Sequence, residues 1–462
     1  MPDWLRAGVA RADITPPVGI THLPWGAAVH DRAEGIDMEL WATALILSQA
    51  DEVLALVELD LCLLEPAQSD EIRAAAADLS GVPFDRVLLS CTHNHSGPSI
   101  TPSWVTAGGD LIPGYMAMVR DKVAGAVWEA RRNLRAARVG AGTGTSSVNV
   151  NRRLPLPDGR VVVGRNWQGF VDRQVQVVRI DDLEEAPIAT LVNFQAHPTI
   201  MAFGNRLITP DYPGPLRRTV ERDLGGLCLF LQGCGGNAEA VLSFSNRSED
   251  YRYTGRVLGL EATRVALETG TRQRRERLVE VVESGAPLGV FADEPLEGPE
   301  PVLRVRSRQV KLPLRARGDL SQLTRAAERE AANLQALKDS SAPAELVRDQ
   351  AYRAKRAMMA VEFARRYEGM DDVTIELHAV ALATVALVGI PGEPFMELGQ
   401  AIKDCSPFAL TLVCGYFNGY QGYMPTRAAF AEGGYEPEWG TAYAAGAGEI
   451  AVEEAVQLLN EL

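Results

Sequence analysis

Residues 91–98 read Cys91-Thr92-His93-Asn94-His95-Ser96-Gly97-Pro98, and the rest of the chain is organised around them. They follow Arg86-Val87-Leu88-Leu89-Ser90, an apolar run of the length of a buried strand. Ser-Gly-Pro then turns the chain sharply away. Residues two apart on extended backbone project to the same side, so both imidazoles are expected to face one cavity. Taken alone, the pair reads equally well as polar residues closing a strand. What arrives elsewhere in the chain decides between the two readings.

Working outward, the same arrangement recurs. Val53–Leu59 is strand-like and ends in Asp60; Ile188–Phe194 runs into Gln195-Ala196-His197-Pro198. Leu227–Leu231 leads to Gly233-Cys234-Gly235-Gly236-Asn237. The apolar stretch from Ala379 to Ile390 ends in Pro391-Gly392-Glu393, and Leu410–Cys414 opens a loop with Tyr416, Tyr420 and Tyr423. Chemistry-bearing residues that follow separate apolar strands mark the carboxyl ends of an α/β sheet, where loops converge without disturbing the core. Imidazoles and a carboxylate in such a place suit zinc, which polarises a carbonyl and acidifies water. His22 lies in an early loop rich in Gly and Pro. Trp25, Trp104, Trp167 and Trp439 are candidates to line a pocket.

Between these strands, helical spacing is expected over 68–79, 114–136, 214–223 and 252–269. The stretch 284–301, with its Gly, Pro and Glu, reads as loose chain. Residues 319–338 and 343–368 are rich in Ala, Arg, Glu, Gln and Leu and read as an antiparallel helical pair inserted at about 319–368. Asp319 and Gln322 stand at capping-box spacing, and the pair's charged residues read as its solvated face. The expected architecture is one large mixed-sheet α/β domain over 1–462 with that insertion.

The formal charge of −14 argues against nucleic acid and against an anionic membrane surface as partners. No run approaches the roughly 20 apolar residues needed to cross a bilayer. The N-terminus lacks the design of a signal peptide, and the six cysteines are scattered without a Cys-x-x-Cys pair. A cytoplasmic location and a small-molecule partner are therefore expected, with a homo-oligomer left open.

The sequence resembles the catalytic domain of the neutral ceramidase family. The resemblance is carried by Gly8–Thr15, Thr92-His93-Asn94-His95-Ser96-Gly97-Pro98, Asn151-Arg152, Asn193–Pro198, Ile390–Glu393 and Asn418–Tyr423, in family order. It implies zinc held by His93, His197, Glu393 and Tyr423, with His95 as a proton-handling neighbour and not a ligand. It further implies that Arg152 helps hold the reacting carbonyl oxygen and that Tyr435 is a second active-site tyrosine. Asp211 is given a supporting role, and the backbone of Gly235 and Gly236 is expected close to substrate. Ceramidases carry Gly-Asp-x-Ser-Pro-Asn where this chain has Gly233-Cys234-Gly235-Gly236-Asn237, so no serine stands there. Their C-terminal immunoglobulin-like domain is not expected here. The expectation is thus a zinc-dependent hydrolase cleaving a linear amide of a small soluble substrate through water. The alternatives are an esterase or lactonase at the same site, or a binding protein that keeps the fold without catalysis.

Overall fold

A computed structural model describes residues 4–22, 28, 30–100, 107–272, 274–296, 302–316 and 318–462. Trp25 and Trp104 lie outside the described residues. Alternation along the strand Trp41–Gln49 shows how the layers are built. Ala42, Ala44 and Ile46 pack against the helices Pro66–Ser80 and Ile112–Arg132. Leu45 and Leu47 point the other way, into a core shared with a second sheet. A strand buried on both faces reads as a nearly unbroken apolar run, as this one does.

The first sheet has eight strands in the order Leu227–Gln232, Pro187–Phe194, Gln174–Asp182, Arg135–Thr145, Arg6–Asp13, Trp41–Gln49, Glu52–Leu59 and Val87–Cys91. Its interior pairs are antiparallel, and the pair at each edge is parallel. The second sheet orders Leu303–Pro313, Asp372–Leu382, Val385–Gly389 and Leu410–Cys414, with only the last pair parallel. Its inner face meets the first sheet through Val305, Val380, Leu387 and Leu412. Its outer face is covered by the helices Met396–Cys405 and Ala447–Asn460. The fold is therefore mixed α/β, as expected.

Three expectations need correction. The apolar stretch 379–390 is two strands, not one, because the chain reverses at Ala383-Thr384, with Ala383 in the left-handed region at φ 57°. Residues 284–301 are not loose throughout. Pro287–Pro295 pairs with Arg274–Glu283 in a hairpin exposed on both faces. With no face buried, the hairpin has no one-sided alternation to show in sequence. The helices Leu320–Asp339 and Ala344–Arg366 form the antiparallel pair, and the Asp319 side chain accepts from the Gln322 amide at 2.9 Å. Their charged surface is not all solvated face, because one side of the second helix covers a cavity.

The second sheet is tied to both edge strands of the first. The Cys91 amide donates to the Tyr416 carbonyl, the Leu89 amide to Asn418 Oδ1, and the Gly415 amide to the Gln232 carbonyl. The carboxyl ends of Val87–Cys91, Pro187–Phe194, Leu227–Gln232, Val385–Gly389 and Leu410–Cys414 are thereby gathered at one place. That is where the chemistry-bearing loops converge.

Candidate metal centre

The strand carrying the histidine pair stops at Cys91. His93 then takes φ 63°, in the left-handed region that a non-glycine residue rarely adopts. The extended backbone expected for His-x-His is thus not what aligns the rings. Backbone bonds do it instead: the Thr92 amide reaches the Leu59 carbonyl at 2.9 Å and the His93 amide the Leu61 carbonyl at 3.0 Å. Asp60 braces this loop from beneath, accepting from Thr92 Oγ1 and from buried Arg217. It does not enter the cavity.

His93 and His197 are oriented alike although they come from opposite ends of the first sheet. Nδ1 of His93 lies 2.9 Å from the Cys62 carbonyl, and Nδ1 of His197 lies 3.0 Å from the Ala238 carbonyl. A carbonyl only accepts, so both rings are protonated on Nδ1 and turn the Nε2 lone pair inward. The two Nε2 atoms lie 3.5 and 3.1 Å from one oxygen, Oε2 of Glu393. Burial lowers the His93 pKa to about 3, so that ring is neutral. Burial works against ionised Glu393, whereas a positive charge on His93 or His197 and that of Arg152 would favour it, and its pKa is lowered from the usual carboxylate range. These close contacts are therefore acceptors facing an acceptor and not conventional ion pairs. Such an arrangement calls for a cation.

The spacing fits one. Ligand atoms around a tetrahedral zinc with bonds of ~2.0–2.1 Å stand about 3.3 Å apart. The observed 3.1 and 3.5 Å bracket that value. All the ligand atoms of His93, His197 and Glu393 lie within 4.8 Å of one another. Tyr416 and Tyr420 donate to Glu393 Oε2 and Oε1 at 3.1 and 2.6 Å, fixing the carboxylate from behind. The fourth residue named by the resemblance, Tyr423, has its hydroxyl 3.4 Å from His197 Nε2.

Around this cluster stand the other groups. His95 Nε2 lies 3.0 Å from His93 Nε2, and burial drives the His95 pKa well below that of a free imidazole. Arg152 Nη1 donates to His197 Nε2 at 3.0 Å, while its Nε is held by Glu436 at 2.8 Å. Its Nη2 is buried with no hydrogen-bond partner among the described residues. The Tyr435 ring stands 5.6 Å from the Tyr423 ring. His93, His95, His197, Arg152, Glu393, Tyr423 and Tyr435 all line one cavity of about 630 Å³. A second cluster, Cys62 with His93 and His95, overlaps the first. Burial pushes the Cys62 thiol up, however, and so disfavours the thiolate that a metal would need.

Three residues expected at the site are not brought here. Gly235 and Gly236 do not line the cavity. The Gly236 amide is spent on the Pro394 carbonyl at 3.0 Å, and a Cβ there would lie 2.4 Å from the Glu393 carbonyl. Gly236 thus lets the turn pack against the strand that carries Glu393. Asp211 is buried outside the cavity, where its carboxylate accepts from the Met201 and Tyr212 amides at 2.8 and 2.6 Å. His22 pairs with His30 at 3.0 Å and does not reach the cavity either.

Sequence reasoning missed Glu239, a buried carboxylate that lines the cavity with Oε2 3.8 Å from Arg152 Nη1. Thr199 donates to its other oxygen. The only signal was its place just beyond the 233–236 turn. It also missed Glu436, which accepts from both Arg152 and Arg153 and sets the direction of the Arg152 fork.

The family model for neutral/alkaline non-lysosomal ceramidase, N-terminal, matches residues 5–247. The chain belongs to that family of hydrolases. Among curated relatives, the neutral ceramidase of Pseudomonas aeruginosa is 24% identical over 93% of this chain and 68% of its own length. Neutral ceramidase A of Dictyostelium discoideum is 26% identical over 48% of this chain, which spans 32% of that protein. The crystal structure of the Pseudomonas neutral ceramidase superposes with a TM-score of 0.68 at 20% identity, covering 99% of this chain and 74% of that one. A structure titled ceramidase complexed with C2 gives a TM-score of 0.65 at 19% identity. The fold is shared with both.

Proposed function

We propose that this chain is a zinc-dependent amidase that cleaves a linear amide of a small molecule by attack of water. The observation that carries the reading is the convergence of two inward Nε2 lone pairs and the Glu393 carboxylate at the spacing of one ion's ligands. His93, His197 and Glu393 would hold the ion, with Tyr423 in reach of the same point. When bound, zinc supplies a Lewis acid for the amide carbonyl and lowers the pKa of water.

The chain's own groups do the rest. His95, neutral and lining the same cavity, is placed to take a proton from water and return it to the leaving amine. Arg152 Nη2, an unspent buried donor, is aimed to hold the carbonyl oxygen as charge develops on it. Glu436 keeps that guanidinium from turning, so the donor costs little reorganisation. Tyr435 borders the same space. A cavity of about 630 Å³ walled largely by apolar side chains suits a molecule of modest size.

Among the described residues no serine lines the cavity. Serine-directed fluorophosphonates are accordingly expected to leave activity intact; an inactivated protein with the adduct on a serine would overturn attack by water. The reading itself is tested by screening N-acyl amides against matched esters, before and after chelation. Chelator-sensitive amide turnover is expected. An ester preferred a hundredfold would make this an esterase, and metal-replete protein inert to both would make it a binding protein.

A further inference from the structure

The wall of the cavity formed by the inserted helix differs in character from the metal centre. Met359 and Phe363 of the helix Ala344–Arg366 join Phe203 and Phe244 in an apolar surface. Set into it are three cationic side chains, Lys355 and Arg356 from the same helix and Arg315 from the approach to the pair. The acidic groups are placed differently. Glu393 is committed to the histidines and tyrosines, and Glu239 to Thr199 and Arg152. Glu438, the other carboxylate lining the cavity among the described residues, already accepts from the Gly434 amide at 2.9 Å.

Arg356 is the most telling of the three. Its guanidinium lies over the Tyr352 and Trp439 rings, 4.3 and 5.0 Å from their centroids, and one nitrogen donates to the Tyr352 hydroxyl at 3.0 Å. Its Nε is buried with no hydrogen-bond partner among the described residues. A buried charged donor left unpaired is costly, and a ligand oxygen would relieve it. Arg315 is turned elsewhere, donating to the Pro437 and Glu438 carbonyls. Burial lowers the Lys355 pKa to about 8, an environment in which a nearby anion would be stabilising.

We infer that the cavity takes an amide bearing an anionic group, held by Arg356 with Lys355 beside it, so that the substrate class is an N-acyl amino acid and not a neutral N-acyl amine. This rests on the amidase reading above. The cationic wall is built from 314–366, beyond the residues 5–247 matched to the family. That segment carries none of the residues assigned to the metal centre, so the centre can be kept while the preferred substrate changes.

The test compares N-decanoylglycine with neutral N-decanoylethanolamine, in wild type and in Arg356→Met, which keeps an apolar stem, and Arg356→Lys. The wild type is expected to favour the acylglycine in kcat/KM, and Arg356→Met to reduce that preference about tenfold, chiefly through KM. Arg356→Lys should restore part of it. Equal use of both substrates by the wild type, or an unchanged preference in Arg356→Met, would overturn the inference. If neither amide is cleaved, the amidase reading fails, and the two ketone analogues, with CH2 in place of the amide nitrogen, still separate the questions. Tighter calorimetric binding of the carboxylate analogue, lost in Arg356→Met, would uphold the anion site. Equal binding of both analogues would remove it.

Discussion

His93 and His95 are the same residue type, two positions apart, with ring centroids 4.5 Å from each other, yet their surroundings differ. His93 is tied through Nδ1 to a backbone carbonyl and presents Nε2 to Glu393. His95 touches that Nε2 with its own. The account therefore predicts that His95→Ala keeps its metal through dialysis while turnover falls by about 10² to 10⁴. Loss of zinc from that variant, measured by elemental analysis, would make His95 a ligand. Asp211 gives a prediction of another kind. Burial raises its pKa to about 7 despite the two amides it accepts from. The folded chain thus binds more protons there than the unfolded chain, whose carboxyl titrates near 3.9. Its contribution is full below that value and is lost as the pH rises to about 7. Asp211→Asn removes the titration. The stability of wild type relative to the variant, from urea unfolding at pH 4.5 and pH 7.5, should fall with pH; a constant difference would contradict it. At this scale the candidate ligands were legible because imidazoles and carboxylates after apolar runs are rare. Glu239 and Glu436 were not, since a lone Glu is ordinary until its neighbours are known.

Elements buried on one face or on both were legible from hydrophobic period. Val87–Cys91, Pro187–Phe194 and the helix Pro213–Leu224 stand close to where the pattern put them. The hairpin Arg274–Glu283 with Pro287–Pro295 was not, because burial imposes no pattern on a ribbon exposed on both sides. The reversal inside 379–390 escaped for a different reason: neither Ala383 nor Thr384 is a turn former, yet the turn holds Ala383 at φ 57°. That conformation costs an L-residue roughly 1–2 kcal/mol, and Gly pays part of it back in unfolded-state entropy. Ala383 is exposed, so Ala383→Gly should meet no packing penalty. It is expected to stabilise the protein by up to about 1 kcal/mol in denaturant unfolding. A loss of stability would mean that the turn is not strained as described.

Across the whole molecule, the site exists because the carboxyl ends of two sheets meet. His93 follows an edge strand of one sheet and His197 the strand next to its opposite edge, while Glu393 and Tyr423 come from loops of the other. No spacing in the chain encodes that meeting, which depends on long-range pairings such as Cys91 with Tyr416 and Gly415 with Gln232. The role of the inserted helices in closing the cavity was equally hidden. Their sequence distinguishes a buried face from an exposed one, but not a core contact from a cavity wall. The central claim is that His93, His197 and Glu393 exist in this arrangement to hold one ion. It is tested most directly by elemental analysis of native, untagged protein beside His197→Ala, with both dialysed and then assayed. The account predicts about one zinc per chain in the wild type and a metal-depleted, inactive but folded variant. Wild-type protein that is fully active without metal, or a His197→Ala variant that retains its zinc, would contradict it.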